Sequence, residues 1–216
     1  MSRSEFSELV RKALGPVYLQ WSERLKAAYY ISKRIHEKQR RDDGKRYFEH
    51  CRGVAEILIQ YPPRLYGDDP TFPSNQAELV EEIIIALLHD TVEDAYPPDY
   101  LLKQLFGSHI AYCVARLSKV SVYEAEAWEI VKREKPPDEY FESITNGSPS
   151  VRRVKLADRL HNFRDMGVWK PTRKRRKIDE TRKYILQPAF IDTDERLTKL
   201  IEEACNEIEK SLPDGV

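Results

Sequence analysis

The sequence predicts an all-α protein built as one domain. Apolar residues recur at spacings of three and four along most of the chain, while few stretches alternate with a period of two. The 216 residues suffice for one full hydrophobic core. No internal repeat or low-complexity linker divides them.

Taken in order, Leu19, Trp21, Leu25, Ala28, Tyr29, Ile31 and Ile35 trace a first helical face. A second helix is expected over 47–59, stopped by Tyr61-Pro62-Pro63, and a Pro-, Gly- and Asp-rich loop over 64–76. A third helix is expected over 77–94, stopped at Tyr96-Pro97-Pro98. Shorter helices are expected over 99–105, 109–117, 123–132 and 138–144, the last two parted by Pro136-Pro137. A turn at 146–149 leads into a helix over 150–166 that ends at Gly167. Helices over 178–190 and 194–212 close the chain.

The bulk numbers exclude more than they assign. Thirty-six basic and 36 acidic residues cancel, so net charge gives no reason to expect a nucleic-acid or membrane partner. Cys51, Cys113 and Cys205 are dispersed without a CxxC pair, which argues for a reducing compartment. The N-terminus has no apolar signal core, and no apolar run approaches the ~20 residues of a membrane span. A cytoplasmic location is the expectation.

The stretch ALLHDTVEDA, residues 86–95, asks for an explanation. A buried-type apolar run ends abruptly in His89-Asp90, and Glu93 and Asp94 follow. On a continuous helix, His89 and Glu93 share one face and Asp90 and Asp94 the next. Carboxylates at a helix C-terminus oppose the macrodipole by ~0.3–1 kcal/mol each, so something cationic should offset them. For Glu93 and Asp94 alone, solvent would suffice; for His89-Asp90 behind six apolar residues that explanation is weaker.

Two further pieces sharpen this. In VRRVKLADRLHNFRDM, residues 151–166, Asp158 sits beside the apolar stripe and Asn162 lies one turn on. A buried Asp needs a partner: Arg152, Arg153 or Arg159, or a shared metal ion. Upstream, His50 follows a Gly-containing turn in the first turns of a helix. The ordered set His50, His89-Asp90, Asp158 offers two imidazoles and two carboxylates, suited to Mn²⁺, Fe²⁺, Co²⁺ or Zn²⁺ rather than Mg²⁺ or Ca²⁺. Cys51 adjoins His50 but should face ~100° away on a helix, so it is not assigned as a ligand. His36 and His109, without acidic company, and His161 are assigned to structure. The run 170–177, KPTRKRRK, reads first as a solvated loop and second as a contact for phosphates.

These residues resemble the HD-domain phosphohydrolases, and within them the hydrolase domain of the Rel/SpoT alarmone enzymes. The resemblance spans about residues 27–190: RxxGxxYxxHxxxVAxIL from Arg41 to Leu58, ALLHDTVEDA, FGSHIAYCVARLSKVS and VKLADRLHN. It implies an HD-domain helical bundle over 1–216, similar to the stand-alone small alarmone hydrolases, with a C-terminal helix over 194–212. It implies that His50, His89, Asp90 and Asp158 hold Mn²⁺ or another divalent transition metal. Glu93 and Asp94 would be the acidic pair that activates or orients the attacking water. Arg41 would lie against the nucleobase and Asn162 would help hold the nucleotide. Lys155, Arg159 and the 170–177 run are candidates to neutralise phosphate, and Tyr184 could line the pocket mouth or pack in the core.

The implied reaction is removal of pyrophosphate from the 3′ position of guanosine tetra- and pentaphosphate (ppGpp and pppGpp). Alternatives are hydrolysis of another phosphorylated nucleotide such as NADPH, which Asp165 favours modestly, and an antitoxin that neutralises a toxic nucleotide synthetase. The expected partner is a guanine nucleotide, without membrane or nucleic acid; self-association and a toxin partner stay open. One departure bears on substrate: Asp42-Asp43 stand where the family often has Lys-Ser, and two acids should weaken binding of a polyanion unless they point away.

Overall fold

Helix α9 (Pro149–Asp165) is buried on nearly every side, and the fold is arranged around it. Val151, Val154, Leu156, Ala157, Leu160 and Phe163 supply its apolar surface, yet Arg153, Lys155, Asp158 and Arg159 are buried with them. A helix with charges inside must pair them. Arg153 bridges Glu82 at 2.7 Å and Asp194, and donates to the Tyr61 carbonyl at 2.7 Å. Arg159 reaches Glu180 at 2.6 Å and Thr181 Oγ1 at 2.9 Å. These ties point outward from α9 to four other parts of the chain; Lys155 and Asp158 point into a cleft.

The computed structural model describes residues 2–64, 69, 73–95, 99–124 and 130–213. In chain order the helices are α1 (Arg3–Leu14), α2 (Val17–Ile35), α3 (Tyr47–Gln60), α4 (Pro73–Leu88), α5 (Thr91–Ala95), α6 (Asp99–Phe106) and α7 (Ser108–Leu117). After a hairpin of β1 (Val120–Glu124) and β2 (Ile130–Glu134) come α8 (Pro137–Thr145), α9, α10 (Pro171–Tyr184), α11 (Pro188–Ile191) and α12 (Glu195–Lys210). Helices α3, α4, α7 and α12 pack against α9, and α2 covers α4. The all-α class holds, and no described helix is long and apolar enough to cross a membrane.

Four local expectations are corrected. The segment 123–132, expected as a helix, contributes instead to the antiparallel pair β1–β2, with Val120 opposite Glu134 and Tyr123 opposite Val131. Val120, Val122, Ile130 and Val131 are β-branched and suit a pleated strand better than a helix; residues 125–129 lie outside the described set. The helix expected over 77–94 starts earlier, at Pro73, and ends at Leu88. The side chains of His89 and Thr91 close it: His89 Nδ1 donates to the Ala86 carbonyl at 2.7 Å and Thr91 Oγ1 to the Leu88 carbonyl at 2.6 Å. The chain turns there, so Asp90 stands before the N-terminus of α5 as well as after α4, and the macrodipole objection to it weakens. The 178–190 helix is two, α10 and α11, parted at Ile185–Gln187. Lastly, the 170–177 run is no loop: Pro171 opens α10, where a missing N–H costs nothing.

Candidate metal centre and cleft

Three separate parts of the chain bring the ligand candidates together. His50 comes from the first turn of α3, His89 and Asp90 from the α4–α5 turn, and Asp158 from the middle of α9. All four are buried. His50 Nε2 lies 3.2 Å from Asp158 Oδ1 and 3.8 Å from Asp90 Oδ2, and His89 Nε2 lies 3.0 Å from Asp90 Oδ2. Ligand atoms of His50, His89 and Asp158 all fall within 4.8 Å of one another.

The outer partners suit a cation between these groups. His89 Nδ1 gives its proton to the Ala86 carbonyl, which leaves the Nε2 lone pair facing the carboxylates. That Nε2 is buried without a hydrogen bond to any described residue. His50 Nδ1 meets His161 Nδ1 at 3.1 Å. If His50 donates, its Nε2 also keeps a lone pair for the centre. Burial and the His50 ring hold His161 down at about 3, so it is neutral and able to accept. Tyr47 donates to Asp90 Oδ2 at 2.7 Å; Lys155 donates to Asp158 Oδ2 at 2.9 Å and Asn162 to Asp158 Oδ1 at 2.6 Å. Two imidazoles whose Nε2 atoms face two steadied carboxylates offer a donor set that fits a divalent ion.

The charges agree. Burial alone would raise the Asp90 carboxyl, but His89 and His50 beside it hold it well below the usual range. Asp158 is likewise lowered, burial being outweighed by Lys155 and His50. His89 is pushed up to about 9, because Asp90 outweighs burial, whereas burial wins at His50 and lowers it. Without an ion, the site balances its carboxylates with protons; an ion would take over that role.

Above the centre opens a cleft of about 300 Å³. Arg40, Arg41, Lys119, Lys155, Arg173 and Lys177 line it, together with Tyr47, Tyr140 and Trp169. Arg41 donates to Asn162 Oδ1 at 2.8 Å, so Asn162 links Arg41 to Asp158. Asp42 lines the cleft too, but it pairs with Arg173 at 2.6 Å, and Asp43 with Lys45 at 2.8 Å. The expected repulsion from Asp42-Asp43 is thereby offset. On α10, Arg173 and Lys177 are one turn apart and share the cleft face. Arg173 also lies over the Trp169 ring, 3.8 Å from its centroid. Burial and Arg159 pull Lys177 down to about 7.

Other expected residues sit elsewhere or do something different. The Lys155 ammonium lines the cleft but is engaged by Asp158 and the Tyr140 hydroxyl, both at 2.9 Å. Arg159 turns toward α10 instead. Tyr184 lies outside the cleft lining: it stacks on Phe141, centroids 4.3 Å apart, and bonds to Asp138. Glu93 is half-buried and accepts from the Lys119 backbone N–H at 2.6 Å. The side chain of Asp94 lies outside the described residues. His109 does have acidic company, with Glu81 at 3.6 Å. Cys51, set aside on helix geometry, has its thiol within 4.8 Å of ligand atoms of His89 and Asp90, because those arrive from another element.

Sequence reasoning missed Tyr47, Lys119, Tyr140, Trp169 and the supporting role of His161. Tyr47 stands three residues before His50, a spacing that places both on one helix face. Nothing local marks the other four, which long-range packing brings in.

The sequence matches the HD domain family over residues 28–188. It is 32% identical over 159 residues to a GTP pyrophosphokinase of Myxococcus xanthus and 31% identical over 160 residues to the bifunctional (p)ppGpp synthase/hydrolase SpoT of Escherichia coli strain K12. Those alignments cover 73% of this chain but only 19% and 20% of the relatives, so the chain spans about a fifth of their length. A solved structure described as a metazoan ortholog of SpoT that hydrolyzes ppGpp has a TM-score of 0.63 to this one, at 21% identity, covering 85% of this chain and 94% of that one. At that identity the likeness is one of fold.

Proposed function

Since this chain belongs to the HD-domain family, we propose that it is a divalent-metal-dependent, most readily Mn²⁺-dependent, phosphohydrolase that removes pyrophosphate from the 3′ position of guanosine tetra- and pentaphosphate. The observation that carries this is the convergence of His50, His89, Asp90 and Asp158 at the floor of a cleft walled by cationic side chains. Relatives over the same stretch include proteins named guanosine-3′,5′-bis(diphosphate) 3′-pyrophosphohydrolase, at 31% identity, in Escherichia coli O157:H7 and Shigella flexneri.

When bound, a divalent ion supplies an acidified water and a polarised phosphoryl oxygen. The chain's own residues do the rest. Tyr47 and Lys155 fix the carboxylates of Asp90 and Asp158, so the ligand geometry is set before substrate arrives. Glu93 and Asp94 form the acidic pair that takes the attacking water's proton, and Lys119 steadies Glu93. Arg41 and Asn162 hold the nucleoside end. Lys119, Arg173 and Lys177 face the phosphates and offset the charge that builds on the leaving oxygen.

The test offers guanosine tetraphosphate, the pentaphosphate and NADPH side by side to the purified protein with Mn²⁺. Release of GDP and pyrophosphate from the tetraphosphate, abolished in Asp90→Asn and by chelator, is the expected result. Phosphate released from NADPH alone would move the substrate to the rival phosphatase reading. Neutralisation of a toxic synthetase that survives Asp90→Asn would favour the antitoxin reading.

A further inference from the structure

Beside the four ligand candidates lies a second grouping that shares two of them. Ligand atoms of Cys51, His89 and Asp90 all lie within 4.8 Å of one another, and all three residues are buried, Cys51 completely. His89 is common to this grouping and to His50–His89–Asp158. Its Nδ1 is committed to the Ala86 carbonyl, so its Nε2, buried and without a hydrogen bond among the described residues, is the nitrogen free to serve either. The donor sets differ in kind. One offers nitrogen and oxygen only; the other adds sulfur.

We propose that Cys51, His89 and Asp90 form a thiolate-bearing position for a thiophilic divalent ion such as Zn²⁺ or Cd²⁺, next to the nitrogen–oxygen position of the catalytic centre. This rests on the metal-centre reading above and extends it. Thiolate selects softer ions and is a poor ligand for Mn²⁺, which prefers oxygen and imidazole. A coordinating thiol gives up its proton to solvent, and the added negative charge strengthens the hold on the ion. Because His89 and Asp90 belong to both sets, an ion drawn toward Cys51 takes those two ligands away from His50 and Asp158. Zinc therefore competes with manganese through one residue, Cys51, that catalysis by the proposed route does not use.

Cobalt(II) is the probe, because a cobalt–thiolate bond gives an intense charge-transfer band in the near ultraviolet that nitrogen and oxygen ligands lack. The wild type should show this band as cobalt saturates, with visible ligand-field bands alongside. Cys51→Ser should keep the ligand-field bands and lose the charge-transfer band. Its Zn²⁺ affinity should fall by at least the roughly 10–100-fold that loss of an outer partner costs, while its Mn²⁺ affinity stays put. The double variant Cys113→Ser/Cys205→Ser leaves Cys51 as the one thiol of the chain and should retain the band, which decides the matter even if Cys51→Ser is unstable. Cobalt bound without the band in the wild type, or a band lost in the double variant, overturns the role of Cys51 and leaves the metal centre intact. No cobalt binding in any form overturns the metal-centre reading as well.

Discussion

Gly53 owes its place to His161. A Cβ built on Gly53 would lie 2.1 Å from His161 Nε2, so this position on α3 must stay bare for the ring to stand against His50. Gly53→Ala should turn the His161 side chain aside while α3 and α9 stay packed. The expected outcome is a Mn²⁺ affinity reduced by roughly 10–100-fold with an unchanged circular-dichroism spectrum, read by metal titration. An unchanged affinity would mean that His161 does not orient His50. The ligand candidates that converge at the cleft floor could be picked out in the sequence, because a His or Asp at the edge of an apolar stripe is conspicuous. The residues that steady them could not: His161 read as packing, and Tyr47 drew no reading of its own. The nearness of the Cys51 thiol to His89 and Asp90 was not legible for a related reason. The 100° rule separates neighbours on one helix, but it says nothing about a ligand that arrives from elsewhere.

Among elements, α10 departs most from its sequence reading. A run of six cations in eight residues looks like a solvated loop, yet the helix sorts them by face. Arg173 and Lys177 go to the cleft, while Arg175 goes to Glu209 on α12, where Arg182 from further along α10 joins it. The sorting could not be read earlier because it depends on which neighbours carry carboxylates. It has a pH consequence. In the folded chain Lys177 loses its proton near pH 7, well below the ordinary lysine value, because of burial and Arg159. Between those two values the unfolded chain binds a proton that the folded one does not, so this group favours folding more as pH rises across the window. Polyanion binding has the opposite sign, since it needs the ammonium. Affinity for guanosine tetraphosphate should weaken from about pH 6 to 8, and Lys177→Met should flatten that dependence. A parallel slope in the variant would assign the effect to another group. The hairpin β1–β2 was missed because its strands are short, and helix and strand patterns are hardest to tell apart in short runs.

For the whole molecule, α9 holds the core and the site on one rod. Arg153, 1% exposed, ties it to Glu82 on α4 and to Asp194 at the start of α12. Arg153→Ala would leave Glu82 buried without its cation and Asp194 with Arg196 alone, and should cost ~3–5 kcal/mol of unfolding free energy, measured by denaturant titration. A loss below 1 kcal/mol would show the network to be dispensable. The ligand candidates are spread from position 50 to position 158, so the unfolded chain does not hold them together. Mn²⁺ at a hundredfold excess over its Kd should then stabilise the fold by about 2.7 kcal/mol, and chelator should reverse the shift in melting temperature. The general architecture was readable because helix periodicity and proline stops are local. The pairing of α9's buried charges was not, because each partner lies on a different element. The chain of bonds from Arg41 through Asn162 to Asp158 has one more consequence. A nucleotide that engages Arg41 pulls on the same amide that steadies a metal ligand, so nucleotide and ion are thermodynamically linked. Whatever factor the ion adds to nucleotide affinity, the nucleotide must return to the ion. Where that factor exceeds one, nucleotide would raise the occupancy of the metal position, and where it falls below one, nucleotide would empty it.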